Sequence, residues 1–283
     1  MRGRVDFSFA IGLLRRNAAL LAFPIISMVV VGIVSVLLLA PFGLQLINDA
    51  AAGAESAQLG PVTIALFIVC FIVDAAVVAF FNGALMSEAL VVVRGGHASV
   101  GNGVAVAARR APQILAWGLV TATVGAILSA LQNKGGIGGA LLSIIGGLAW
   151  GVATLFVLPV VIVEGLYPVG AIKRSVAILR DLFGPGAALG SFRRAWGFGV
   201  GYLVVVIGGI LLAIVLIFLG FLSANVVVAV PAVIAGILIF GLVAIVASAL
   251  GAMVSAVLYV YAVDKTTPPD VDPVLLRSGL VAR

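Results

Sequence analysis

One stretch of this chain limits what it can fold into more than any other feature. Between Arg194 and Asp264, residues 195–263 include no Asp, Glu, Lys or Arg. Soluble domains carry about 25% charged residues, whereas this chain has 9%, with a hydrophobic fraction of 64%. A helix crosses the hydrocarbon core of a bilayer with about 20 apolar residues. The sequence therefore predicts an all-α protein that is integral to a membrane.

Apolar segments separated by polar turns predict a polytopic bundle of six transmembrane helices. Their expected positions are about 20–40, 61–93, 112–131, 138–163, 196–222 and 226–263. The first segment is longer than the apolar part of a signal peptide, which has about 7–15 residues, so we expect it to be retained. Residues 1–264 are thus expected to form one transmembrane domain, with a C-terminal tail at 265–283.

The distribution of basic residues predicts the orientation. With six spans, 15 of the 16 Lys and Arg residues lie on one side, at both termini and in the loops near 94–112 and 165–195, and Lys134 alone lies on the other. Basic residues accumulate on the cytoplasmic side of membrane proteins. We therefore expect a multi-pass protein of the cytoplasmic membrane with both termini in the cytoplasm. The preference for Arg over Lys, together with many Ala, Gly and Val residues, favours a bacterial source.

A pattern that occurs three times predicts internal repeats. A double arginine precedes each odd-numbered span, and a stretch able to form an amphipathic helix lies at or just before it, at about 5–16, 99–110 and 168–183. Such helices lie in the headgroup layer with basic side chains toward lipid phosphates. The unit reads as an interfacial helix followed by a transmembrane hairpin. The alternative is that the arginine pairs only follow the positive-inside rule.

Two stretches of the chain carry a likeness to known sequences. They are FSFAIGLLRRNAALLAFP at residues 7–24, and FVLPVVIVEG at residues 156–165, which continues to Pro168, Ala171–Ser175 and Leu179–Arg180. In them the chain resembles an uncharacterised prokaryotic family of six-span membrane proteins, a domain of unknown function. It is also similar to the membrane domain attached to some glycerophosphodiester phosphodiesterases. The resemblance implies the fold and residence in the cytoplasmic membrane, but no activity.

Asp74 and Asn82 form the candidate intramembrane polar site. Asp74 lies near the middle of the second span. A carboxylate at that depth costs about 2.5–3.5 kcal/mol on insertion scales, so it should face protein or water rather than lipid. It could relay a proton or bind a cation. The structural alternative is a hydrogen bond to Thr121, Thr123 or Asn82.

The other candidate residues are expected to form ion pairs at the cytoplasmic interface, because each even span ends near an acid. These residues are Glu88, Glu164, Asp264, Arg15, Arg16, Arg109, Arg110, Arg193, Arg194, Lys173 and Arg174. Pro159, in the fourth span, frees a backbone carbonyl and could bend the helix before Glu164.

Several functional classes lack the residues that they need. Cys70 and His97 are the single cysteine and the single histidine, which is too few for a zinc site of the usual ligands. No nucleophile–base set can be assembled, and no aromatic–basic surface for nucleic acid is present. We therefore expect no catalytic residues, no metal and no cofactor.

Two hypotheses remain for the function. The first is a non-catalytic scaffold, assembly factor or partner subunit that contacts anionic lipid headgroups and a membrane-protein partner or a second copy of itself. The second is a transporter, channel or lipid-handling protein that uses Asp74 within the bundle.

Overall fold

The computed structural model describes residues 12, 14–51, 60–134, 136–183, 192–222 and 226–265, and no strand occurs within these ranges. The helices, in chain order, are α1 (Ala19–Ala51), α2 (Pro61–Val93), α3 (Val100–Arg109), α4 (Ala111–Lys134), α5 (Gly136–Ala153), α6 (Val157–Glu164), α7 (Pro168–Phe183), α8 (Phe192–Leu222) and α9 (Val226–Tyr259). A π-helical turn, Val260–Asp264, extends α9.

The helices are long and apolar enough to cross a bilayer, which confirms the polytopic helical membrane fold. Within the described residues, five stretches meet the length and hydropathy of a span: Ala19–Gln45, Pro61–Val93, Ala111–Asn133, Gly138–Glu164 and Val227–Asp264. A shorter apolar stretch, Val206–Gly220, lies in α8. Five long apolar helices and one shorter stretch are therefore described.

The long helices pack mainly as three hairpins that follow one another in the chain. The hairpins are α1 with α2, α4 with α5, and α8 with α9. The second helix of the first and third hairpins is central, because α2 contacts α4, α6 and α9, and α9 also contacts α1. The short helices α3 and α7 lie where two of the predicted interfacial helices were expected. The predicted interfacial helix at 5–16 and the tail at 265–283 fall almost entirely outside the described residues.

Two of the expected spans have different boundaries in the structure. Helix α1 continues through Pro41 to Ala51, where the sequence predicted a loop from residue 41. A proline inside a helix removes one hydrogen bond and crowds the preceding turn, but transmembrane helices tolerate proline. The fourth span is not one helix, since α5 ends at Ala153 and α6 begins at Val157.

Glycine ends α2 and α6 with a left-handed residue. Gly95 follows α2 with φ +89°. The N–H groups of Gly95 and Gly96 donate to the carbonyls of Val92 and Val91, at 3.0 and 2.9 Å. This pair of bonds is a Schellman motif, which satisfies carbonyls that a helix end leaves free. Gly165 ends α6 in the same region, with φ +69°. Each helix therefore ends at a left-handed glycine next to a charged residue, Arg94 after α2 and Glu164 at the end of α6.

The two ends of the bundle differ in packing. We call residues 14–23, 84–118, 153–183 and 246–265 the charged end, because it holds Glu88, Glu164, Asp181, Asp264 and most of the described basic residues. The largest fully buried side chains are concentrated there, among them Phe23, Leu85, Ile114, Phe156 and Tyr259. The opposite part, residues 28–45, 61–78, 119–150 and 206–245, is called the open end. Its large apolar side chains are mostly exposed, as lipid-facing residues must be.

Candidate functional site

Glu88 anchors the first amphipathic helix to the bundle. Its side chain is fully buried. Oε2 accepts a hydrogen bond from the backbone N–H of Ser99 at 2.7 Å, and Oε1 accepts one from the Asn102 amide at 2.6 Å. A carboxylate at a helix N-terminus satisfies free N–H groups and interacts favourably with the helix dipole. Glu88 therefore binds the start of α3, whereas the sequence predicted an arginine as its partner.

Close packing seals this carboxylate from solvent. Gly103, one turn into α3, lies against Phe23 and Glu88: a Cβ placed there would stand 2.5 Å from Phe23 Cζ and 2.8 Å from Glu88 Cγ. Gly101 on the same helix has nothing within 4 Å of the corresponding point. The contact of α3 with α1 and α2 thus depends on glycine at position 103.

Glu164 joins three elements at the end of the fourth span. Arg174 Nε, on α7, donates to its two oxygens at 3.0 and 3.3 Å, and the Tyr259 hydroxyl, on α9, donates to Oε1 at 3.3 Å. The Arg110 guanidinium lies against Gly165, so closely that a Cβ at Gly165 would clash with it. A cation at a helix C-terminus is favourable. The sequence predicted Lys173, Arg174 or a double arginine as the partners of Glu164.

The break between α5 and α6 is held by a serine from α7. Ser175 is fully buried. Its hydroxyl donates to the carbonyl of Ala153 at 2.7 Å and accepts the N–H of Phe156 at 3.1 Å. In a continuous helix these two groups would pair with Val157 and Val152, but Val157 and Leu155 donate to Thr154 and Val152 instead. One hydroxyl therefore satisfies both of these backbone groups.

A second serine satisfies the carbonyl that Pro159 leaves free. Proline has no N–H to donate to the residue four positions earlier, here Leu155. The hydroxyl of Ser255, on α9, donates to the Leu155 carbonyl at 2.6 Å. Irregular backbone at membrane depth is tolerated where protein groups satisfy it. Ser175 and Ser255 do so for this break.

Asp264 forms a third link between elements at the charged end. Arg94, which follows α2, donates from Nε and Nη2 to Asp264 Oδ2 at 3.1 and 2.9 Å. Both side chains are partly exposed. The pair joins the end of α2 to the end of α9, and Arg94 was not among the predicted partners.

The remaining predicted basic residues lie at the surface or outside the described side chains. Arg15, Arg16, Arg109 and Lys173 are exposed, and Arg16 has a further interaction. The side chains of Arg193 and Arg194 are outside the described residues, although their backbone starts α8.

The two members of the intramembrane candidate site are not brought together. Ser35, on α1, donates to Asp74 Oδ2 at 2.8 Å, and the thiol of Cys70 lies 3.4 Å from the same oxygen. Asn82 instead accepts a hydrogen bond from Ser248 on α9 at 3.2 Å. Asp74 therefore faces α1 and Asn82 faces α9. The expected partners Thr121 and Thr123 donate to carbonyls of their own helix.

One oxygen of Asp74 has no hydrogen-bond partner. Oδ1 is buried, and among the described residues it shares this property with Gln113 Oε1. The described residues also include no cluster of three or more His, Cys, Asp or Glu side chains that could hold a metal ion. Asp74 thus stands as a single carboxylate with one strong donor.

A family model matches residues 61–268, under the description "Family of unknown function (DUF6159)". This match covers more than half of the chain. The chain belongs to this family. No curated protein and no solved structure matches it.

The part of the chain that matches the family runs from α2 to just beyond the π-helical turn. It includes Glu88, Glu164, Asp264 and the break between α5 and α6, and it excludes α1 with Ser35 and Phe23. Of the two stretches that carried the resemblance in the sequence, residues 156–180 lie inside the matched region and residues 7–24 lie outside it.

Sequence reasoning missed the hydroxyl and amide partners of this site. These partners are Ser35, Asn102, Ser175, Ser248, Ser255 and Tyr259. A partial signal existed for Ser175, because it ends the stretch Ala171–Ser175 that contributed to the resemblance. In the structure both end residues of that stretch are fully buried. Ser255 and Tyr259 are four residues apart, so both face α6.

Proposed function

We propose that this chain is a non-catalytic scaffold, assembly factor or partner subunit of the bacterial cytoplasmic membrane. It spans the bilayer six times, with both termini and the charged end on the cytoplasmic side. One observation carries this proposal: three of the four acids at the charged end are used to hold elements together. Glu88 binds α3, Glu164 binds α7 and α9, and Asp264 binds Arg94. The positive-inside rule supports the orientation.

The outward face of α7 supports contact with anionic lipid headgroups. Ala171, Ser175 and Ile178 are buried against the bundle, whereas Lys173 and Arg180 are exposed. These two basic residues share one face of α7 with Ile172, Val176, Ala177 and Asp181. Apolar side chains beside cations suit an interfacial helix on an anionic membrane.

Site-specific photo-crosslinking in native membranes tests the scaffold proposal. A photoreactive residue at Tyr167 or Val169 samples the charged end, and one at Ile145 samples the open end; these positions are similarly exposed, at 59%, 68% and 62%. We expect one discrete protein adduct at 167 and 169 that is absent at 145, and lipid adducts at 145. The absence of a protein adduct at the charged end, or the same adducts at all three positions, would contradict the proposal.

A second function, transport or lipid handling through Asp74, is favoured by the unpartnered buried Oδ1. An intramembrane carboxylate marks ion and proton pathways in many membrane proteins. The test is proton or cation flux in reconstituted vesicles with Asp74→Asn, compared with Asp181→Asn at the exposed surface. Loss of flux in the Asp74 variant alone would establish transport and overturn the scaffold proposal. Absence of flux in the unmodified protein would remove the transport alternative.

A further inference from the structure

The two halves of the fourth span have different surroundings. Helix α6 is enclosed: Val157, Val160 and Val161 have no exposed surface. Helix α5 packs on α4 and also touches α7. Its large side chains Leu141, Ile145 and Leu148 are 56%, 62% and 59% exposed. One half is fixed in the core of the charged end, and the other extends into the open end.

Both ends of α6 are held by the same two neighbours. At its start, Ser175 from α7 and Ser255 from α9 bind the backbone of the break. At its end, Arg174 from α7 and Tyr259 from α9 bind Glu164. Adjacent residues of α7 therefore contact the two ends of an eight-residue helix. A displacement of α7 would change both contacts together.

We infer that residues 154–156 form a hinge, that α5 swings about it relative to α4, and that α7 is the strap that sets its angle. Sharp helix bends occur where the hydrogen-bond ladder is interrupted and another side chain inserts. Ser175 is such a side chain. The swing changes the separation of α5 from the α1–α2 and α8–α9 hairpins at the open end, while α4 stays packed on α2. This inference goes beyond the proposed function and does not depend on the orientation in the membrane.

The geometry sets the size of the movement. Leu141 lies 12 residues before Ala153 in α5, which is about 18 Å along the helix axis at 1.5 Å per residue. A bend that changes by about 20° moves a point at that distance by about 6 Å. This displacement lies within the range of distance measurements between spin labels.

Pulsed electron-spin distance measurements in lipid nanodiscs test the hinge. A Cys70→Ser background carries labels at Leu141→Cys in α5 and Leu242→Cys in α9, which are 56% and 62% exposed. A reference pair, Leu37→Cys with Leu242→Cys, does not involve α5. The effect of two further substitutions is compared in both pairs: Ser175→Ala removes the strap, and Pro159→Ala supplies an N–H for the Leu155 carbonyl.

The hinge predicts opposite effects of the two substitutions on the 141–242 distance. Ser175→Ala broadens the distribution or shifts its mean by about 6 Å, as expected for a bend that changes by about 20°, and Pro159→Ala narrows it. The reference pair stays unchanged in both variants. If Ser175→Ala does not fold, Pro159→Ala decides alone. An unchanged 141–242 distribution in the folded variants, or an equal change in the reference pair, would overturn the inference.

Discussion

The charged end and the open end of this bundle are built from the same helices but are stabilised in different ways. At the charged end, Phe156 and Tyr259 are fully buried and carboxylates bind backbone and side-chain donors. At the open end, side chains such as Val36, Leu219 and Val227 are 69%, 53% and 79% exposed. Lipid tails can cover these side chains, because the tails are as apolar as the side chains themselves.

This difference shows which part of the bundle is stabilised by contacts within the protein itself. In lipid, helices gain little by burying one apolar side chain against another, so association depends on close packing and hydrogen bonds. Most of the described tertiary hydrogen bonds of this chain lie at the charged end. We therefore expect substitutions at that end to change stability, and equivalent substitutions at the open end to change it little.

The largest effect should come from removing a core aromatic ring at the charged end. Phe156→Ala should lower the free energy of unfolding by about 3–5 kcal/mol, because truncating a buried phenylalanine leaves a cavity. Phe218→Ala is the matched control, since that ring is 59% exposed, and should cost less than about 0.5 kcal/mol. Unfolding in detergent monitored by tryptophan fluorescence measures both. Equal losses would remove the distinction between the two ends.

Glu88→Ala should have the next largest effect. It removes two hydrogen bonds to a charged group, each contributing about 1.5–3 kcal/mol, and leaves the Ser99 N–H unsatisfied. Asp181→Ala, at an exposed position on α7, is the control. The same unfolding measurement should show a loss of about 3 kcal/mol for Glu88→Ala, the low end of this sum, because the substitution also removes the cost of burying a charged group. A variant as stable as the control would show that Glu88 does not anchor α3.

Two glycines of α3 provide the sharpest matched pair. Gly103→Ala places a Cβ against Phe23 and Glu88 and should cost about 1–3 kcal/mol by overpacking. Gly101→Ala meets nothing within 4 Å and should stabilise the protein by up to about 1 kcal/mol, since alanine favours helix more than glycine does. The difference in thermal midpoint between the two variants checks this. The same sign for both would contradict the packing of α3.

The exposed pair of Arg94 with Asp264 should have the smallest effect. Ion pairs at the surface contribute about 0–1 kcal/mol and are screened by salt. Asp264→Asn should therefore lower stability slightly at low ionic strength and have no effect in about 1 M salt. A large loss that persists at high salt would mean that this pair belongs to the buried core of the charged end.

The sequence predicted the helices well because their signals are local. Length, hydropathy and the absence of charge define spans without knowledge of any partner. The bounds of α7, Pro168–Phe183, match the prediction, since Pro168 fits the first helical position and the apolar positions recur at helical spacing.

Pro159 indicated a bend in the fourth span, but the side chains that hold the break could not be predicted, because they are distant in the chain. A helix that is apolar on all sides has no face that marks its partner. Pro159 indicated a free carbonyl at Leu155, but the hydroxyl that binds it belongs to Ser255, 100 residues away in the chain. The same applies to Asp74, whose donor Ser35 is 39 residues away. Thr121 and Thr123 were plausible donors, but the carbonyl one turn earlier is always within their reach.

The partner of Glu88 was missed for a different reason. The double arginines were the obvious cations on the same side of the membrane, so an ion pair was the simplest expectation. In the structure the buried carboxylate instead accepts hydrogen bonds from the Ser99 N–H and the Asn102 amide. The start of α3 is only 11 residues from Glu88 and presents a free N–H. A helix start close after an acid is thus a signal that sequence reasoning can use.

We propose that the charged end is the working surface and faces the cytoplasm. Single cysteines in a Cys70→Ser background test it directly: Tyr167→Cys reports the charged end, and Lys134→Cys reports the opposite side. With a membrane-impermeant maleimide, we expect Lys134→Cys to react in intact cells and Tyr167→Cys to react only after permeabilisation. Labelling of Tyr167→Cys in intact cells, with Lys134→Cys protected until permeabilisation, would contradict the account.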